Sequence, residues 1–348
     1  MELLNKKLEN LGIVSIMDID DYWAPGPHHP AYLIIKNAKL DERIKNNVRV
    51  ANYVTTTTDV FADEIKKTNK NVFVLPNAID PSEAQFVPKL EKSDRIRIGW
   101  LGGSSHLKDL ELLNNVVNRL EYDGLLDKLQ FVLCGFDTRG SHTEINPNTG
   151  QQKVRPIKPM ESVWYQYEKI FTNNYSVISP EYKDFLMKFT QEEYPNIANE
   201  PYRRVWTKHI STYATNYNLF DISLAPLTEN IFNKVKSQLK VIEAGFHKKA
   251  LIAQNFGPYQ IDLKNAAKFG GGFDESGNAI LINIDKNNWY DSIKKLVKNP
   301  EIIPILQENL YNTVKDTYNI NKVTESRREL YHSLVTKHKP ELVLQTTN

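Results

Sequence analysis

Apolar and polar positions along the 348-residue chain follow two periods that take turns. Short aliphatic runs predict strands at 13–18 ("IVSIMD"), 51–55 ("ANYVT"), 72–75 ("VFVL"), 96–102 ("IRIGWLG"), 129–135 ("LQFVLCG"), 222–227 ("ISLAPL") and 249–253. Stretches with apolar residues three and four apart predict helices at about 1–11, 39–48, 59–68, 107–120, 161–170, 180–192, 205–217, 288–297, 301–315 and 321–336. Strands that alternate with helices imply parallel sheets with right-handed crossovers. The fold class expected is therefore α/β with two Rossmann-like units, the first incomplete. Their expected bounds are 1–90 and 91–288, with an insertion at 137–200 rich in Tyr, Asn, Pro and charge, and closing helices over 289–348.

The segment "FNKVKSQLKVIEAGFHKKALIA" (232–253) breaks the usual look of a core helix. Read at 3.6 residues per turn it carries Val235, Leu239 and Ile242 on one stripe, and Asn233, Lys236, Lys240 and Glu243 on another. Gly245 offers a C-terminal stop before a buried strand. Two readings of the charged stripe stand side by side: a solvated face with a weak Lys240/Glu243 pair, or a face turned to a ligand.

Composition narrows the class. A 41% hydrophobic and 25% charged content is that of a globular chain, and a formal charge of +2 gives no field that favours nucleic acid. One cysteine, Cys134, excludes an intrachain disulfide. No apolar stretch reaches transmembrane length and the charged start does not resemble a signal peptide. These features lead us to expect a cytoplasmic protein, with contact at a membrane surface left open.

In open parallel sheets ligands sit beyond the carboxyl ends of strands. That filter selects "LGGSSHLKD" (101–109), "CGFD" (134–137), "APLTENIFNKVKS" (225–237), "AQNFGPY" (253–259) and "DIDD" (18–21). Gly102-Gly103 after a strand lets backbone amides approach a phosphate, with Ser104, His106 and Lys108 beside it; the alternative is an ordinary tight turn. A second basic helix start at Lys234, Lys236 and Ser237 follows another strand of the same sheet, and two anion sites facing one crevice suit a diphosphate. Glu243 is placed to accept from ribose hydroxyls. Asp18, Asp20 and Asp21, and His28-His29, lack further ligands at metal spacing. Tyr and Trp in the insertion (Trp164, Tyr165, Tyr167, Tyr175, Tyr182) suit either local core or stacking on a ligand.

The ordered set "VTTTTDVFADEI…NKNVFVLPNAID", "RIGWLGGSSHLKDLELL" and "DISLAPLTENIFNKVKSQLKVIEAG" resembles retaining nucleotide-sugar glycosyltransferases of the GT-B fold, over residue 13 to the C-terminus. The resemblance implies two units facing a cleft, closing helices that cross back to the first, and sugar transfer with retention that needs no cofactor or metal. It implies that Gly102, Gly103, Ser104, His106, Lys108, Gly135, Lys236, Ser237, Lys240 and Glu243 hold the donor. Asp20 and Asp21 would face the acceptor. The first acid of the family's acidic pair falls on Val235, leaving Asn233 or Glu229 in that role. The partners implied are a nucleotide sugar and a glycan, lipid or protein acceptor. Relatives carry more strands before "DIDD", so the chain is expected to be shortened at its start, with a partner chain or second copy completing the sheet. An inactive binding subunit of the same fold and a nucleotide-sugar epimerase are the competing functions.

Overall fold

A computed structural model describes residues 2–89, 91–145, 149–172, 179–268 and 271–339. Its elements run α1 (Glu2–Asn10), β1 (Ile16–Asp18), α2 (Tyr32–Asn37), α3 (Leu40–Val50), β2 (Tyr53–Thr56), α4 (Asp59–Lys66) and β3 (Val72–Val74) in the first unit. The second unit begins with β4 (Ile96–Leu101), α5 (Leu107–Leu110), α6 (Val116–Tyr122), β5 (Leu129–Phe136), β6 (Ser141–Ile145), β7 (Gln152–Pro156), α7 (Val163–Thr172), α8 (Pro180–Met187) and β8 (Tyr202–Trp206). It continues through β9 (Ile222–Ala225), α9 (Ile231–Lys234), α10 (Leu239–Phe246), β10 (Ala250–Gln254), β11 (Ile280–Ile282), α11 (Trp289–Lys298), α12 (Ile302–Val314) and α13 (Ile320–His338).

The first sheet is parallel, in order β1-β2-β3. The second is parallel in order β11-β10-β9-β4-β5-β8, which counted from β4 outward is the doubly wound 3-2-1-4-5-6 arrangement. Helices cover both of its faces, so its strands bury both sides and read as unbroken apolar runs. Ile98, Trp100, Phe131 and Leu133 point into one core layer, while Leu101, Val132, Cys134 and Leu251 point into the other.

The first unit has a smaller core built on Trp23, Val48, Val54, Phe61 and Ile65, and it takes in Val235 from the second unit. Of the three closing helices, α11 and α12 pack on the second sheet. α13 is the one that returns, where Tyr53 Oη and His338 Nε2 lie 2.7 Å apart and Lys337 Nζ donates to Tyr53 Oη at 3.1 Å.

Several expectations need correction. The helix expected at 205–217 is instead the end of strand β8 followed by a 3-10 turn over Tyr213–Leu219. Arginines hid the strand: Arg204 is buried, paired with Glu168 at 2.6 Å, and stacked 4.2 Å over the Phe136 ring, so its charge is satisfied inside the sheet layer. The segment at 232–246 is two helices, broken at 235–238 where packing passes from the core of the first unit to that of the second. Gly245 does not stop α10. It lies within the helix, and a Cβ there would sit 2.5 Å from Val314 Cγ2, so it permits close packing on α12, while Lys248 takes the left-handed position (φ 51°) that ends the turn.

The helix at 107–120 is also broken, and α2, the β6–β7 hairpin and β11 are additions to the expected elements. The 137–200 insertion is in part a regular crossover, because α7 bridges β5 and β8 and sends Trp164, Tyr167, Ile170 and Phe171 into the core. Tyr182 is core as well. Tyr165 carries Lys169 over its ring at 4.6 Å, and Tyr175 lies outside the described residues.

Candidate active site between the two sheets

β4 and β9 are neighbours whose crossovers leave in opposite directions, so their carboxyl ends open a crevice. A cavity of about 480 Å³ fills it. Asp20, Asp21 and Asn77 reach it from the first unit; Gly102, His106, Gly135, Lys236, Ser237, Lys240 and Glu243 reach it from the second. A second cavity of about 580 Å³ shares Gly102, Gly135 and Thr207 and runs over Gly103 and Ser104 toward Arg139. Nine of the ten residues expected to hold a donor thus line these two adjoining cavities.

The floor is glycine because nothing larger fits. Gly135 has φ +104°, and a Cβ on it would lie 2.7 Å from the Gly102 carbonyl oxygen. Beside this floor His106 donates from Nδ1 to Asp109 Oδ2 at 2.8 Å, and its backbone N–H donates to Tyr167 Oη at 2.8 Å. Burial pushes the imidazole below its usual range even though Asp109 favours its charge. Asp109 also accepts from Thr228 N (2.8 Å), Thr228 Oγ1 (2.7 Å) and Asn233 Nδ2 (3.1 Å), so one carboxylate ties the loop after β4 to the loop after β9.

Across the hollow stand two half-buried lysines. Neither Lys236 nor Lys240 has a carboxylate within ion-pair distance among the described residues. Lys236 Nζ lies 4.7 Å from the centre of the Phe232 ring, and Lys240 Nζ, 5.2 Å from that of Trp100, donates to the Leu101 carbonyl. Burial lowers the pKa of both, that of Lys240 to about 8. Ser237 Oγ, next to Lys236, accepts from Asn77 Nδ2 at 3.0 Å, a contact between the units.

Glu243 is buried one turn further. Tyr217 Oη donates to its Oε2 at 2.8 Å and Tyr213 Oη donates to Oε1, leaving a second lone pair on each oxygen for a ligand. Burial raises its pKa against the opposing effects of Tyr213 and Lys240. The solvated-face reading of this stripe is therefore overturned, and with it the surface Lys240/Glu243 pair.

Asp20 and Asp21 stand at the mouth. Burial of the Asp21 carboxyl and the neighbouring Asp20 raise its pKa, while Lys236 and His29 oppose them. Two expected site residues sit elsewhere. Lys108 is exposed and paired with Glu111 at 2.8 Å, bordering a smaller cavity of about 190 Å³. Asn233 is buried, with its amide spent on Asp109 and the Thr228 carbonyl. Its neighbour Val235, in the position of the missing acid, is core.

Residues that sequence reading passed over are Asp109, Thr228, Asn77, Tyr213 and Tyr217. The first was legible as "HLKD", an imidazole and a carboxylate three apart; the two tyrosines, four apart, were absorbed into a helix that is not there.

Two parallel-sheet units with a cleft at their strand ends, and an unbroken α13 crossing back, define the GT-B architecture. Solved structures agree. The chain is similar to sucrose-phosphate synthase from Thermosynechococcus elongatus (TM-score 0.59, 13% identity), over 97% of this chain and 72% of that one. It is similar to TarM (TM-score 0.58, 14% identity) over 94% of this chain and 53% of that one. It is also similar to Anabaena HepE in complex with UDP and glucose (TM-score 0.58, 9% identity), over 95% and 74%. No protein-family profile matches the chain, and no curated protein matches it in sequence.

Proposed function

We propose that the chain is a glycosyltransferase that takes a sugar from a nucleoside diphosphate and passes it to an acceptor with retention of configuration. The observation that carries this reading is the pair Lys236 and Lys240, two cations without carboxylate partners among the described residues, which face the Gly102-Gly135 floor across a 480 Å³ cavity. Holding two like charges side by side with little water is unfavourable unless an anion of matching charge joins them. A diphosphate supplies it. The HepE structures in complex with UDP and glucose, and with UDP-glucose, are in keeping with such a donor.

In this reading the Gly102-Gly103 amides and the two lysines take up charge as the glycosidic carbon leaves the diphosphate oxygen, which lowers the barrier without reorganisation at the moment of reaction. Glu243, fixed by two tyrosines, accepts from ribose hydroxyls. Asp20 and Asp21 face the acceptor from the other unit. Charge on the lysines does the work that a metal would otherwise do, and neither a metal nor a cofactor enters the proposal.

Val235 favours a second reading. Where the resemblance calls for an acid near the transferred sugar, a valine sits in the core of the first unit, and a nucleotide-binding subunit without transferase activity would have no need of that acid. The test is incubation with UDP-, GDP- and ADP-glucose and detection of transferred or released glucose, in the wild type and in Lys236→Ala. Turnover in the wild type that is lost in the variant supports the transferase. Tight binding with no turnover, even after prolonged incubation with mixed acceptors, supports the binding subunit.

A further inference from the structure

We infer that His106 and Asp109 form a proton-loaded clamp: His106 is the cation that the loop after β4 turns toward the donor diphosphate, and it takes up a proton as the diphosphate binds. This rests on the reading of the cavity as a nucleotide-sugar site. It replaces Lys108, whose ammonium is spent on Glu111 outside the main cavity.

The geometry is specific. With Nδ1–H held by Asp109 at 2.8 Å, the ring nitrogen left without a protein partner among the described residues is Nε2, and the ring lines the cavity. The ring cannot turn freely, because its edge packs on the Trp100 ring (centroids 5.8 Å apart) and its backbone is anchored to Tyr167. Asp109 is held in turn, since Thr228 and Asn233 donate three hydrogen bonds to its other oxygen, Oδ1. An imidazole oriented by a carboxylate keeps one tautomer and stabilises the positive form when a second anion arrives.

The charged groups that face His106 decide when it charges. From its own loop comes Asp109; from the segment joining α9 and α10 comes Lys236; from α10 comes Lys240; α7 contributes the phenol of Tyr167, and β4 the uncharged Trp100 ring. The two lysines oppose a positive ring and Asp109 favours it. A diphosphate cancels the opposition of both lysines at once, so protonation of His106 and donor binding favour each other.

Calorimetry with UDP-, GDP- and ADP-glucose as probes tests this. Their diphosphates are diesters with no titrating proton near neutrality, so any proton exchanged belongs to the protein. At pH 7.0, in buffers of different ionisation enthalpy, the wild type should take up between about half a proton and one proton per donor bound. Its affinity should fall severalfold between pH 6 and 8. His106→Gln should bind about tenfold more weakly at pH 6, with uptake at pH 7.0 cut to the small part that Lys240, lowered to about 8, supplies, and a flat profile between pH 6 and 7.

Asp109→Asn, whose single oxygen stays with the Thr228 and Asn233 donors while its NH2 faces Nδ1 and disfavours the positive ring, should behave like His106→Gln. His106→Lys should recover affinity without the proton uptake that His106 supplies, which a merely structural role would not produce. Variants are compared at matched thermal stability. Uptake and pH profile unchanged in His106→Gln, in a wild type that does bind a donor, overturn the clamp while leaving the donor site in place. A wild type that binds none of the three donors overturns both.

Discussion

Replacing Lys240 by methionine should make the protein more stable and a poorer binder of nucleotide in the same stroke. Burial takes the ammonium from its ordinary 10.5 to about 8. At about 1.4 kcal/mol for each tenfold change in proton affinity, keeping that charge in the folded chain at pH 7 costs about 3 kcal/mol. Partial access to water and the contacts with Trp100 and the Leu101 carbonyl bring the gain expected from Lys240→Met to about 1–2 kcal/mol. The nucleotide loses a charge-assisted hydrogen bond of about 1.5–3 kcal/mol, or roughly ten- to hundredfold in affinity.

The pH dependence has a definite sign. A lysine whose folded pKa lies below its unfolded value leaves the folded chain with fewer bound protons between pH 8 and 10.5. Wild-type stability from this source therefore rises across that window and is lowest, and constant, below it. Lys249, also lowered to about 8 by burial, contributes the same trend, so the variant should keep part of the rise. Urea unfolding at pH 7.0 and 9.5, with and without UDP, reads all of this. A variant that is less stable than wild type at pH 7, or that is stabilised by UDP as strongly as wild type, refutes the argument.

Three further outcomes follow from the same physics. Glu243→Gln should weaken UDP about tenfold in calorimetry while leaving inorganic pyrophosphate unaffected, because in the proposed function that carboxylate serves the ribose and not the phosphates. Glu168→Ala should cost about 3–5 kcal/mol in urea unfolding by leaving Arg204 buried without its partner; Glu168→Leu combined with Arg204→Met should recover most of it. Val235→Asp, which restores an acid in the family's position, should destabilise the chain by more than about 3 kcal/mol and give no gain in sugar transfer, since that side chain points into the first unit's core.

Much of the fold was legible because buried parallel strands have no polar face to confuse the pattern. "LQFVLCGF" can be little else, and β5 is buried along its whole length. The failures share a cause: charge or polarity inside the fold, satisfied by partners distant in sequence. Arg203 and Arg204 disguised β8, and a partner 36 residues away, Glu168, is what lets Arg204 stand in a strand. The same limit applied at the site. Glycines, lysines and Glu243 could be read from their places after strands, but Asp109 acts through Thr228, 119 residues on, and Tyr217 reaches Glu243 from a turn that sequence assigned to a helix. Lys108 lies outside the main cavity for the complementary reason, a local partner three residues on, Glu111, whereas the Asn233 amide is taken by Asp109, 124 residues away, and by the Thr228 carbonyl.

The position of Val235 also bears on how such a cleft works. Closing of one unit on the other would exclude water from such a cleft and assemble the site. Here the joint between α9 and α10 inserts Val235 among Trp23, Val54, Phe61 and Ile65 of the first unit, and the next residues, Lys236 and Ser237, line the 480 Å³ cavity. Asn77 holds Ser237, and Phe232 meets the ring of His29 at 5.1 Å. A rotation wide enough to open the cleft would have to withdraw a buried valine from a packed core, at about 1.5–3 kcal/mol for its apolar surface alone, and break the Asn77 contact with it. The anchor sits within one residue of Lys236, so the geometry of that side of the cavity is set by the first unit's core as much as by the second unit's sheet. Substitutions in that core, such as Phe61→Ala, which touch no ligand, should therefore weaken nucleotide binding by displacing Lys236, whereas core substitutions on the far layer of the second sheet, such as Ile293→Val, should lower stability and leave binding unchanged.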